Sequence, residues 1–336
     1  MKKLKIVVSV ALLAWLAWRT DWHQVRETFG QLRLSLWLAA LGVYGVAQLC
    51  SSVRWQMLAR PLGFEQPLGH FLGYYFIGMF FNLMLPTSVG GDVVRACYLD
   101  EGSGRKLAAF VSVFVDRCSG LLVLLALACG AVLFCPLALP PWVALSVWIT
   151  LGSLLAGGGA VWLYCRLQIA ECRVEEYGSE APGKLQVLKS AIGNLQSAVL
   201  TQPGLLITTT LLSVGVQAAN VVLVWLVGLA IGAPVPASYW WIVVPMVSLM
   251  QVVLPSLNGH GVREGGLILF LSEVGVSQSM AVSLGFLWFS VSATAALGGG
   301  LVYLFGRFGR PEGQTDDELV GDYSDQGRAR EPAAAA

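Results

Sequence analysis

Leu85–Arg95 reads LPTSVGGDVVR, placing a proline, two adjacent glycines and two charges inside an otherwise apolar region. About 170 residues later Leu254–Glu264 reads LPSLNGHGVRE, with the same plan of Leu-Pro, small or polar residues, a glycine-rich turn and charges that open a helix. The apolar arm before the first stretch, Phe71–Leu85, gives about 15 residues of helix, or roughly 22 Å, short of the roughly 30 Å of a hydrocarbon core. The pattern predicts a re-entrant arm that turns at Pro86 to Gly91 and returns through Asp92 to Leu99. Irregular backbone at that depth must be buried in protein or line a wet cavity, so both turns are candidate sites.

Composition sets the class. With 56% hydrophobic and 12% charged residues and a mean hydropathy of +0.69, the chain lies far from the roughly 25% charged average of globular domains. It reads as an all-α integral membrane protein. A net charge of +1 without a Lys/Arg cluster argues against nucleic-acid binding, which needs clustered cations along one face. The seven cysteines contain no CxxC pair and suit free thiols better than disulfides or a metal site. No cofactor signature is present.

Taken in order, residues 1–18 read as an uncleaved first helix, because the run ends on Trp15 and Trp18 and lacks a small-x-small cleavage site. Residues 19–33 read as a polar loop, 34–53 as a span, 71–99 as the first re-entrant hairpin, and 107–134 and 142–164 as spans. Residues 165–200 read as an amphipathic cytoplasmic segment, with Leu185, Leu188, Ile192, Leu195 and Val199 on one face. A span at 204–231, a second re-entrant hairpin from 241 to about 275 and a last span at 281–305 follow, and 307–336 reads as a disordered cytoplasmic tail. The expected architecture is one transmembrane domain, 1–306: a polytopic bundle of about six full spans plus two re-entrant helical hairpins. Counting Lys and Arg places both termini in the cytoplasm, since the loops at 135–141 and 232–240 carry neither. The halves, about 1–134 and 142–306, then enter the membrane from opposite sides. That is an inverted-topology repeat, in which transport sites form between broken helices at the repeat interface.

The chemistry of such turns suits an anionic headgroup. A glycine-rich turn opening a helix presents backbone N–H groups and a positive dipole end, glycine permits close approach, and arginine grips phosphate with two donors. The candidate substrate-binding residues are Pro86, Gly90, Gly91, Asp92 and Arg95 in the first turn and Pro255, Asn258, Gly259, His260, Gly261, Arg263 and Glu264 in the second. Asp116 and Arg117 lie about 14 Å into their span by helical rise, where charge is costly and functional by default; Arg54 is a further candidate. Structural alternatives stand beside these: Asp92 as an N-cap or partner of Arg95, Asp116–Arg117 as a brace, and Arg54 as a snorkelling residue. Tyr74, Tyr75, Trp240 and Trp241 read as interfacial belt residues.

The segments RWQML (Arg54–Leu58), NLMLPTSVGGDVVR (Asn82–Arg95), VDRCSGL (Val115–Leu121) and LPSLNGHGVREGG (Leu254–Gly266) resemble those of the flippase-like family. That family includes the transmembrane region of lysylphosphatidylglycerol synthase, the bacterial multiple peptide resistance factor. The resemblance covers about residues 5–306 and implies paired re-entrant helices that move lipids or lipid-linked sugars between leaflets of a bacterial inner membrane. His260 within the second turn, and Gly-Gly-Asp where many relatives carry a Gly-Glu pair, depart from the pattern. Residues after 306 are expected to form no soluble aminoacyl-transfer domain.

Three functions follow as alternatives. A flippase would take a phospholipid, a polyprenyl-phosphate sugar or a hopanoid-like lipid. A headgroup-modifying enzyme needs a nucleophile beside a base, and the three histidines, at 23, 70 and 260, are scattered with no HExxH or GxSxG motif. A membrane scaffold for a glycosyltransferase or synthase partner would use the amphipathic segment and the tail.

Overall fold

The computed structural model describes residues 22–85, 90–100, 104–134, 140–153, 155–156, 193, 202–254, 259 and 261–306. The described residues form helices and turns without strands. Four helices are long and apolar enough to cross a membrane: the stretches Leu34–Leu62, Lys106–Phe134, Pro203–Ala230 and Gln278–Phe305. The protein is an all-α polytopic membrane protein. The first helix expected at 1–18, the segment 165–200 except Gly193, and the tail lie outside the described residues.

We number the helices in chain order as α1 Trp22–Gly30, α2 Leu34–Ala59, α3 Leu68–Met84, α4 Gly90–Asp100, α5 Lys106–Phe134, α6 Pro141–Ser153, α7 Pro203–Ala230, α8 Trp240–Val253, α9 Val262–Leu271 and α10 Gln278–Phe305. The series long helix, pair of short helices, long helix occurs twice, as α2/α3–α4/α5 and as α7/α8–α9/α10. The short arms of 17, 11, 14 and 10 residues reach at most about 25 Å, below the roughly 30 Å of a hydrocarbon core. Residues 19–33, read from sequence as a loop, contain α1, which packs against α10. Its nine residues are amphipathic but polar on average, so beside the long apolar spans they read as a loop.

The first arms and their returns are antiparallel. In α3–α4, Tyr74 stacks near Tyr98 at 5.5 Å and Gly91 N–H donates to Asn82 Oδ1 at 2.8 Å. In α8–α9, Tyr239 O–H donates to the Phe270 carbonyl at 2.9 Å, and Gly266 faces Val247 and Met250. The long helices α2 and α7 are the most extensive pair and also run antiparallel: Arg33 N–H, at the start of α2, bonds the Ala230 carbonyl at the end of α7. Arg54, near the end of α2, reaches Ser213 in the middle of α7.

Each hairpin has its own apolar core. Trp55, Phe71, Tyr74, Tyr98, Leu99, Ala109 and Val113 enclose the first; Tyr239, Trp240, Ile242, Phe270, Leu284 and Val291 belong to the core around the second. Tyr74, Tyr75 and Trp240 are therefore buried and not interfacial as their composition suggested. Large apolar side chains such as Phe114, Leu122, Leu133 and Leu304 face outward, as the lipid-contacting surface of a bundle requires.

Candidate functional site

Three helices of the first half bring five charged side chains together. Asp116 of α5 takes Arg54 Nε on Oδ1 at 2.9 Å and Arg95 Nη2 on Oδ2 at 3.3 Å. Asp92 of α4 lies 3.3 Å from Arg95 Nε. It also accepts two hydrogen bonds from Arg117 of α5, at 3.0 Å from Nε to Oδ2 and 2.7 Å from Nη2 to Oδ1. The result is one alternating chain, Arg54–Asp116–Arg95–Asp92–Arg117. Three cations face two anions, leaving a surplus of one positive charge.

Burial separates its members. The side chains of Arg54, Arg95 and Asp116 are 5% exposed or less, whereas Arg117 is 53% exposed and Asp92 14%. Removing three such ions from solvent costs several kcal/mol each unless they are paired and hydrogen-bonded, and each has its partners. The rings of Trp55 and Tyr75 lie 4.9 and 5.0 Å from the Arg95 guanidinium carbon, the arrangement in which a ring face attracts a cation. Gly120 leaves room for the Arg54 guanidinium, with a Cβ there only 3.3 Å from Nη1. Arg54 is thus a buried member of the network and not a snorkelling residue.

The second half completes this site through groups that sequence reading missed. Ser213 Oγ accepts from Arg54 Nη1 at 2.8 Å, and Gln217 Nε2 donates to the Gly120 carbonyl at 2.9 Å. Buried Gln48, Ser51, Ser52 and Gln56 continue a polar strip along α2. The available signal was the recurrence of Gln, Ser and Asn within apolar helices.

At the second hairpin the ion pair is between sequence neighbours, with α10 packed against it. Arg263 Nη2 lies 2.8 Å from Oε1 of its neighbour Glu264, and both side chains are 5% exposed or less. Glu264 Oε2 accepts the Gly261 N–H at 2.6 Å, satisfying a donor at the start of α9. Phe289 lies 5.2 Å from the Arg263 guanidinium carbon, and Gly285 makes room for the Glu264 side chain.

Of the candidates named from sequence, the structure gathers Arg54, Asp92, Arg95, Asp116 and Arg117 at one site. Gly259, Gly261, Arg263 and Glu264 stand at the other hairpin. Gly90 and Gly91 open α4. Pro86, Pro255, Asn258 and His260 lie outside the described residues. Two of the amides expected to hold a headgroup have internal acceptors: Gly91 N–H bonds Asn82 and Gly261 N–H bonds Glu264.

A family model described as the lysylphosphatidylglycerol synthase TM region matches residues 3–299. No curated protein and no solved structure matches the chain.

Proposed function

The chain belongs to the lysylphosphatidylglycerol synthase transmembrane-region family, and from that premise we propose that it is a lipid flippase whose first hairpin holds an anionic headgroup during transfer between leaflets. The observation that carries the reading is the surplus guanidinium charge at the hairpin. A bundle in hydrocarbon has no structural need for three arginines against two aspartates, since unbalanced charge there is costly and marks a pathway or a ligand site.

The wider reading rests on the same features. The short arms fit re-entrant hairpins, and the repeated helix series with its antiparallel lead helices fits an inverted repeat. The Lys/Arg distribution fits a bacterial inner-membrane protein with both termini in the cytoplasm. The phospholipid, polyprenyl-phosphate and hopanoid-like alternatives share one demand, that polar groups replace the headgroup's hydration. A scaffold for a synthase or glycosyltransferase has no use for a surplus charge at this depth, and for an enzyme both aspartates of the cluster are already engaged by arginines.

The test is transfer of fluorescent phosphatidylglycerol in proteoliposomes, read as the fraction quenched by an impermeant reductant. Wild-type protein should expose inner-leaflet lipid that protein-free vesicles protect. The Arg95→Ala variant, which leaves Asp116 paired with Arg54 and Asp92 with Arg117, should insert, remain monodisperse and lose that transfer. Wild-type flux in this variant refutes the reading.

A further inference from the structure

One link of the charge chain differs from the others because it can open without dismantling the bundle. Arg54, Asp116 and Arg95 are buried on three different helices and pair with one another, whereas the Arg117–Asp92 pair lies at the accessible end. Arg117 grips both Asp92 oxygens through Nε and Nη2, the two-pronged geometry by which guanidinium also holds phosphate. It does so about 16 Å into α5, where an exposed guanidinium is retained at a cost.

A second observation concerns the neighbouring donor. Arg95 Nε is buried and lies 3.3 Å from Asp92 Oδ1, yet it makes no hydrogen bond among the described residues. Both oxygens of the planar carboxylate point into the Arg117 fork, so the third donor is left without a well-aimed acceptor. A tetrahedral phosphodiester presents acceptors outside one plane and can serve both arginines.

We propose that Asp92 is an internal stand-in for the substrate, and that a singly charged lipid phosphodiester takes its place between Arg117 and Arg95 and yields it back on leaving. This rests on the transport reading above. One negative charge matches the surplus of the five-residue cluster; a phosphomonoester approaching two charges overshoots it, and a fatty-acid carboxylate reproduces the defect at Arg95.

The test is binding of dioctanoyl phosphatidylglycerol to the purified full chain in detergent. Dioctanoyl phosphatidic acid, dodecanoate and glycerophosphoglycerol, the same phosphodiester without acyl chains, are the comparison probes. Wild type should bind the phosphatidylglycerol at least tenfold more tightly than any of the three. Asp92→Asn, freed of the competitor, should tighten that binding at least tenfold and shift preference toward the phosphatidic acid. Arg117→Lys, which keeps the charge and loses the fork, should weaken it at least tenfold with unchanged thermal stability.

Monodisperse Asp92→Asn protein that binds no more tightly overturns the proposal, and so does equal wild-type affinity for dodecanoate. Equal affinity for glycerophosphoglycerol overturns the lipid as the source of the phosphodiester. Should Asp92→Asn fail to fold, undiminished binding by Arg117→Lys overturns it instead. Expected binding without flux in vesicles defeats the flippase reading alone; flux without the Asp92 effect defeats the stand-in alone.

Discussion

The two hairpins are written in nearly the same letters and held by different physics. In the first, glycine serves close approach: Gly91 meets the Gly78 carbonyl across α3–α4, with no space for a methyl group. In the second, glycine serves backbone conformation: Gly259 and Gly261 have φ of 80° and 82°, a region that side-chain-bearing residues seldom enter. The charges divide likewise. Asp92 and Glu264 both stand in the first turn of a return helix. Asp92 looks outward to arginines on two helices, and Glu264 folds back on Gly261 and Arg263. One hairpin shares its charges with two long helices, while in the other the acid pairs with its own sequence neighbour beneath the aromatic side chains of α10. Similar motifs therefore do not imply equal roles.

The sharpest way to break this contrast is Asp116→Ala, which strands Arg54 and Arg95 in the interior. It should cost about 3–5 kcal/mol, read as a large fall in the unfolding midpoint in detergent or as loss of monodisperse protein. A fall no larger than that of a surface variant would mean that the network is not what holds the first hairpin. Next in size, Gly91→Ala should cost about 1–3 kcal/mol through overpacking against the α3 backbone, measured the same way. Gly265→Ala in the second hairpin meets nothing within 4 Å and should instead gain roughly 0.5–1 kcal/mol from helix propensity; a loss there would erase the distinction between the glycines. Smallest of all is the double variant Arg263→Met/Glu264→Gln. Removing both members of a buried ion pair together, while keeping an acceptor for Gly261, should leave the midpoint within about 0.5 kcal/mol of wild type. A large loss would show that the second pair also reaches beyond its hairpin.

What could be read from the sequence followed from cost. Asp116, Arg117, Arg95 and Arg263 announce themselves because charge in an apolar span needs a reason, and Pro86 and Pro255 with their glycines interrupt the hydropathy. That Arg54, Arg95 and Asp116 converge from three helices was not legible. In a membrane the outward face is as apolar as the core, so Phe114 and Leu122 on the exterior look no different from buried Leu124 and Leu125, and hydropathy cannot orient a helix about its axis. Ser213 and Gln217 escaped notice for a related reason: a hydroxyl or amide in an apolar helix is cheap enough to pass unremarked. Tyr74 and Trp240 were misplaced because an aromatic with a polar tip suits a membrane interface and a packed core alike.

The hydrogen bond from Arg54 to Ser213 crosses between halves, as does the one from Arg33 to the end of α7. A half-molecule inserted alone would carry Arg54 into the bilayer without its hydroxyl, and the other half would end α7 with the Ala230 carbonyl unclaimed. Neither half satisfies its polar groups alone. If the chain arose by duplication, the shared polar groups mark the point after which the copies could no longer part company. A gene split between them would have to bring its products back together in the same membrane.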